Sequence, residues 1–257
     1  MNTAVQRLVM SNPPIPLRLF TEVACGWPSP AADYEETPLS LDELVNVTAT
    51  SMHLLPADGD SMLPLIRDGD VLVVDRSAQA FLGDVVVSAI HDDFKITRLG
   101  SVEGRDALIP EDKTLSPYML GNDELIEVWG LVVWNLRRLH RNCRQPDEPH
   151  RSLDALANVS AYSTFLVRAR GDSMAPLIHD GDVLVVDKSI DAAPDDVVVA
   201  VYQGDFTVKR LGSIEGRDAL IPENPAMPPL FIGGEEQVEV WGVAVWNLHR
   251  LQRNRRK

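Results

Sequence analysis

Short apolar runs set off by Asp and Gly dominate the chain. "DVLVVD" occurs at 70–75 and again at 182–187, and its β-branched core between turn residues predicts a strand. "DVVVSAI" (84–90) and "DVVVAVY" (196–202) predict a second. "FKITRL" (94–99) and "FTVKRL" (206–211) alternate apolar with polar positions, as a strand with one wet face does. "EGRDALIP" (103–110, 215–222) predicts a turn leading into a strand. "IEVWGLVVWNL" (126–136) and its counterpart, which carry Trp129, Trp134, Trp241 and Trp246, are apolar on both faces, which predicts a long strand buried on both sides. Only "SMLPLI" and "SMAPLI" suggest a helical turn, with Ser at the cap and Pro early in the turn. No 10–15-residue helical pattern alternates with the strands, so the fold class is mainly β, largely antiparallel, with few short helices.

Nearly every one of these segments occurs twice. Residues 41–142 match residues 153–254 at a constant offset of 112, without a gap, and about 60 of about 102 positions are identical. A period near 110 is too long for a solenoid repeat and suits a whole domain. The chain is therefore read as an N-terminal arm (1–40), a first domain (41–143), a short polar linker (144–152) containing two Pro, and a second domain (153–257). The arm is different in kind. Pro13, Pro14, Pro16, Pro28, Pro30 and Pro38 exclude long helices there and favour extended, accessible backbone.

Composition narrows the function. The 257 residues are 45% hydrophobic and 24% charged, as in ordinary globular proteins, with a formal charge of −14. Such an acidic chain is poorly suited to gripping a phosphate backbone, so its partners are expected to be proteins rather than nucleic acid. The lack of an 18-residue apolar run argues against a membrane helix, and the N-terminus does not read as a secretory signal. Cys25 and Cys143 make no disulfide framework, which fits a reducing, cytoplasmic setting. The six His are scattered without metal-ligand spacing, and neither a metal nor a cofactor is expected.

The candidate chemistry is G-D-S-M-x-P-x-I-x-D-G-D followed by F-T-V-K-R-L about 35 residues after the Ser. A serine hydroxyl is a feeble nucleophile until a base takes its proton. A lysine serves as that base only when neutral, which requires burial in an apolar site. Period-2 alternation puts Lys209 and Leu211 on one strand face and Phe206, Val208 and Arg210 on the other. Ser173 opens a turn whose unpaired N–H groups could form an oxyanion hole. Taken singly, Ser173 reads as a turn cap and Lys209 as a solvent-facing strand lysine.

These motifs resemble the LexA/UmuD family of self-cleaving Ser-Lys peptidases, which shares a fold with signal peptidases, and most closely its UmuD type, here in a tandem-duplicated form. The resemblance spans roughly 200 residues across both copies. It implies Ser173 as nucleophile and Lys209 as general base and later acid. The arm's "CGWPSPAADY" is similar to the UmuD arm, which the family cuts before a Gly, and this implies cleavage at Cys25–Gly26. Gly26 has no Cβ, so a nucleophile could approach its backbone closely; the plain alternative for Cys25 is a small buried apolar residue.

The first copy departs from the pattern. Ser61 matches Ser173, but Thr97 stands where Lys209 is expected, and Thr is no general base near neutral pH. Lys95 lies two residues earlier on the same face, roughly 6.6 Å away, too far to be a simple replacement. The first copy is therefore expected to be inactive, unless Lys95 rescues it. With the arm before one copy and the lysine in the other, the chain reads as a fused dimer. Its last strands would lie near an internal pseudo-two-fold interface, and the arm of copy one would enter the Ser173/Lys209 site of copy two.

The resemblance further implies activation by a RecA-type filament on single-stranded DNA in the SOS response, and later service as an accessory subunit of a Y-family error-prone DNA polymerase. The alternatives are a LexA-like repressor, for whose three-helix DNA-binding head the Pro-broken arm is too short, and a noncatalytic binding module that kept the fold.

Overall fold

The computed structural model describes residues 5–10, 13–20, 35–47, 50–90, 93–121, 127–140, 152–202, 204–233 and 238–251. Cys25, Gly26, Cys143 and almost all of the linker lie outside the described residues. The expected class holds: among the described residues there are seventeen strands and two short helices. The arm contributes β1 (Gln6–Arg7), β2 (Leu17–Phe20) and β3 (Glu35–Leu39), then α1 (Leu41–Val45) opens the first copy. The first copy continues with β4 (Met52–Pro56), β5 (Val71–Asp75), β6 (Val85–Ile90), β7 (Asp93–Val102), β8 (Arg105–Ile109), β9 (Tyr118–Met119) and β10 (Glu127–Arg138). The second repeats the series as α2 (Leu153–Leu156), β11 (Thr164–Arg168), β12 (Val183–Asp187), β13 (Val197–Tyr202), β14 (Asp205–Ile214), β15 (Arg217–Ile221), β16 (Leu230–Phe231) and β17 (Val238–Arg250).

The chain divides into two compact units. Unit 1 takes Met1–Val9, Val47–Arg137 and Arg250–Lys257; unit 2 takes Met10–Asn46 and Arg138–His249. In unit 1 the strand order is β1-β4-β5-β10-β6-β7-β8-β9, antiparallel throughout. In unit 2 the order is β3-β2-β11-β12-β17-β13-β14-β15-β16, with one parallel pair, β2–β11. The outer edge of β4 is thus covered by β1 and that of β11 by β2, which removes two open edges that could template aggregation.

The long last strand serves two partners. In unit 2, β17 pairs with β13 through Val238–Val243 and with β12 through Val243–Leu248. The change of partner falls at Gly242, where a Cβ would come within 2.8 Å of Val186 Cγ1 and 3.3 Å of the Asp187 carbonyl oxygen. Only a residue without a side chain lets the backbones approach so closely at this bend. Beyond the bend Val243, Ala244, Val245 and Trp246 are all buried, as the two-sided apolar pattern requires. The strand's beginning is wetter, with Val240 39% exposed.

The two helices are α1 and α2, not the "SMxPLI" segments, which form consecutive tight turns. The Leu63–Pro64 and Ala175–Pro176 peptide bonds are cis. The helix starts do carry a sequence signature: Ser40 accepts from the Glu43 N–H while the Glu43 side chain reaches back to the Ser40 N–H, a capping box. In unit 2 the helices also cap one another. Asp154 accepts from the Leu41 N–H at 2.9 Å, and Asp42 accepts from the Leu153 N–H at 2.8 Å. Both carboxylates are buried, so neither N–H could turn to water instead. Asp42→Ala is expected to cost about 1–2 kcal/mol, read as a lower urea midpoint for unfolding.

Candidate active site

The β11–β12 connection (169–182) contains the whole G-D-S-M-x-P-x-I-x-D-G-D motif, and several of its residues have a local task. Asp180 accepts from the Gly171 N–H at 2.9 Å and draws the ends of the loop together. Gly181 has φ +87, which allows the chain to turn back so that its N–H meets the Ala169 carbonyl at 2.9 Å. Between these ties, Met174 and Ile178 are buried and anchor the turn in the core, against which Phe206 and Val208 of β14 pack. Ser173 sits half-buried at the start of the turn.

β14 brings the lysine to it. Lys209 is 8% exposed, and its Nζ lies 2.9 Å from Ser173 Oγ, 2.9 Å from Thr207 Oγ1 and 3.0 Å from the Val208 carbonyl oxygen. Thr207 and Lys209 share a strand face, as the alternation predicts. Among the described residues, neither the Ser173 nor the Met174 backbone N–H has a hydrogen-bond partner. A cleft of about 370 Å³ runs beside the pair, walled by Ala169, Phe206, Val208, Met227 and Leu230. A buried amine in contact with a hydroxyl, beside free N–H groups and an apolar cleft, is an arrangement able to attack an acyl group.

Residues 18–133 and 143–245 both match the Peptidase S24-like family and together take in most of the chain. The chain belongs to the Peptidase S24-like family. It is 40% identical to Protein MucA of Salmonella typhimurium over 116 residues, which is 44% of this chain and 79% of that protein. It is 44% identical to Protein SamA of the same species over 91 residues (35% of this chain, 62% of SamA). It is also 34% identical to the LexA repressor of Bordetella parapertussis over 122 residues (47% of this chain, 56% of the repressor). A match of this extent makes it a serine-peptidase type of protein, in two tandem S24-like copies.

The S24-like copy in unit 1 keeps the cleft but not the pair. Its cleft has a similar volume, about 420 Å³, and is lined by both Ser61 and Lys95. Lys95 is exposed, and no hydrogen bond joins it to Ser61 among the described residues. The Thr97 hydroxyl is buried without a hydrogen-bond partner. The two copies thus carry the same residue types in exchanged order, Lys95-Ile96-Thr97 against Thr207-Val208-Lys209.

Several neighbours of the S24-like pair escape a sequence reading. Thr207 is one. Asn224 is another: its N–H donates to the Ser173 carbonyl at 3.1 Å and its side chain to the Asp172 carbonyl at 3.1 Å, so it pins the turn from outside. The adjacent Glu223 pairs with Arg210, whose guanidinium also donates to the Asp195 carbonyl at 2.6 Å. The second "EGRDALIPE" is therefore a turn and strand, as expected, and also a clamp on the strand that carries Lys209. Its final Glu and the Arg after Lys209 were the available signal, since they recur as Arg98 and Glu111, which also pair.

The arm is divided between the units: β1 belongs to unit 1, while β2 and β3 belong to unit 2. β2 runs parallel to β11, and Phe20 stacks against Phe165 and edge-on to Trp241, with ring centroids 6.0 and 5.6 Å apart. Trp241 in turn meets Phe206, a wall of the cleft. The Cys25–Gly26 bond lies outside the described residues. No helix of the described residues is long and apolar enough to cross a membrane.

Proposed function

We propose that this S24-like protein is a self-cleaving Ser-Lys peptidase of the UmuD type, which cuts its own arm at Cys25–Gly26 through Ser173 and Lys209. The observation that carries this reading is the 2.9 Å contact between a buried lysine amine and the Ser173 hydroxyl. A neutral amine has two N–H donors and one lone pair. Thr207 Oγ1 and the Val208 carbonyl can accept the two N–H bonds, which turns the lone pair toward the Ser173 O–H. Lys209 then takes the hydroxyl proton as Ser173 Oγ attacks the Cys25 carbonyl carbon, and the Ser173 and Met174 N–H groups stabilise the oxyanion. The tetrahedral intermediate collapses with loss of the Gly26 amine, to which Lys209 returns the proton. Water, deprotonated by the same amine, releases the Cys25 carboxylate and regenerates the serine.

The arm's position supports self-cleavage. Phe20 is docked one aromatic ring away from the cleft wall, and Cys25 follows it by five residues, a reach of at most about 18 Å. Ser61 and Thr97 are proposed to form a degenerate site, so that the arm before copy one and the dyad in copy two make the chain a fused dimer with one substrate and one catalyst. The protein would act in the cytoplasm, in the SOS response, with a RecA-type filament as activator and a Y-family error-prone polymerase as later partner.

The test is the mass of the products after incubation with a RecA filament on single-stranded DNA. A new fragment that begins at Gly26 is expected; an intact chain, or a cut elsewhere, would overturn the assignment. Thr207→Val is expected to slow the cut about tenfold by freeing the amine from its orientation, with the unfolding midpoint unchanged, while Thr207→Ser retains most of the rate.

A further inference from the structure

Behind the Ser173 turn lies a polar cluster that the proposed chemistry leaves unused. Asp182 ends the D-G-D motif and is only 3% exposed. Its Oδ1 lies 2.6 Å from His249 Nδ1, and its Oδ2 accepts from the His179 N–H and from Asn247 Nδ2, both at 2.9 Å. The His179 and His249 rings face each other with centroids 5.0 Å apart. One donor atom from each of His179, Asp182 and His249 lies within 4.8 Å of the others. The His179 Nδ1 is buried and has no hydrogen-bond partner.

The first copy serves as an internal control. The same carboxylate, Asp70, is 4% exposed, and Asn135 holds it as Asn247 holds Asp182. There, however, a fixed cation neutralises it: Arg137 donates from Nε and Nη2, the closest contact being 2.8 Å. The positions that match His179 and His249 are Arg67 and Arg137. The second copy therefore keeps the buried carboxylate, replaces both arginines with imidazoles, and leaves one imidazole nitrogen without a partner. A buried carboxylate needs a compensating charge, and a buried ring nitrogen needs a partner. A divalent cation supplies both at once.

We infer that unit 2 contains a binding site for a zinc-type divalent transition metal, with His179, Asp182 and His249 as ligands. Two imidazoles and a carboxylate are a ligand set that Zn²⁺ accepts, at roughly 2.0–2.2 Å, with a fourth position left for water. Asn247, bonded to Asp182 and to the Leu177 carbonyl at 3.2 Å, is the outer partner that orients the carboxylate. The metal would tie the end of the Ser173 turn to β17, the task that Arg137 performs in copy one through Asp70 and the Leu65 carbonyl.

The site hides from a sequence search because its spacing is three residues and then 67. The test is calorimetric titration of the tag-free, metal-stripped full chain with Zn²⁺, and with Co²⁺ for its visible absorption. One metal per chain and a Zn²⁺-dependent rise in the unfolding midpoint are expected. The double variant His179→Arg/His249→Arg installs the residues that copy one carries at these positions, where Arg137 pairs with the matching carboxylate Asp70. It is expected to lose affinity by more than about 100-fold while its midpoint without metal is kept. Failure of the wild type to bind, or equal binding by the double variant, would overturn the site. Neither readout depends on self-cleavage.

Discussion

Ser173→Ala is expected to eliminate the proposed self-cleavage, with the rate falling by about 10⁴- to 10⁶-fold, while Ser61→Ala is expected to leave it unchanged. The size follows from the way a nucleophile and its base act as one unit: removing either member forfeits nearly everything that the pair contributes. The asymmetry follows from the structure. Lys209 Nζ touches Ser173 Oγ at 2.9 Å, whereas the position matching Lys209 in copy one is a threonine and the nearby Lys95 is exposed. A lysine in water stays protonated near neutral pH and has no lone pair to offer. Lys209→Met, which keeps most of the buried stem and removes the base, is expected to match Ser173→Ala and to keep the chain folded. The measurement is the time course of the product fragment for the variants side by side. Undiminished cleavage in Ser173→Ala, or loss of it in Ser61→Ala alone, would move the chemistry to the other copy.

Arg137→Ala has the largest expected effect on stability, about 3–5 kcal/mol. Arg137 and Asp70 are 6% and 4% exposed, and the guanidinium also holds the Leu65 carbonyl at 3.0 Å. Truncation leaves the buried carboxylate with the Asn135 amide and the Arg67 N–H as donors but without its compensating cation, and the cost is that of a buried, unpaired charge. Against a typical domain stability of about 5–15 kcal/mol, this is a large fraction. Urea unfolding read in the tryptophan fluorescence of unit 1, where Trp129 and Trp134 lie, is the measurement. Arg137→His, which copies His249, is expected to cost less, because an imidazole can still donate to Asp70 as His249 does to Asp182 at 2.6 Å. A loss below about 1 kcal/mol for Arg137→Ala would overturn this assignment of Arg137 as the essential partner of Asp70.

Much of the fold was open to reading because strand formation here depends on local pattern. "DVLVVD" is apolar without interruption because β5 and β12 are inner strands with both faces covered, whereas the alternation of "FTVKRL" fixes the strand but not its wet face, since Lys209 is the buried position of β14. The "SMxPLI" segments keep a single helical turn, with the Ile66 N–H on the Met62 carbonyl and the Ile178 N–H on the Met174 carbonyl, and go no further for a local reason. A four-residue turn with Ser first and Pro early satisfies the rules for a helix start, but nothing in a six-residue window shows whether the chain continues as a helix or makes successive turns. The capping box at Ser40-x-x-Glu43 was the better signal.

The candidate site divides along the same line. Ser173 and Lys209 were legible because a two-residue motif at fixed separation survives in any sequence that keeps it. Thr207 and Asn224 were not, since a hydroxyl or an amide gains a role only from the atom it faces. His179, Asp182 and His249 were less legible still: two are three residues apart, and the third arrives on another strand 67 residues later.

By itself the sequence determined that this protein is two copies of one mainly β domain behind a proline-rich arm, and that only the second copy pairs a serine with a lysine at the right separation. Those facts depend on residue identity and spacing, which the chain carries whatever its shape. Only the tertiary structure decided that Lys209 is buried against Ser173, that β2 of the arm pairs with β11 of the second copy, and that the exchange of Arg for His gathers a new cluster behind the turn. Burial and contact are properties of strands brought together by hydrophobic packing across long stretches of sequence, and no local pattern encodes them.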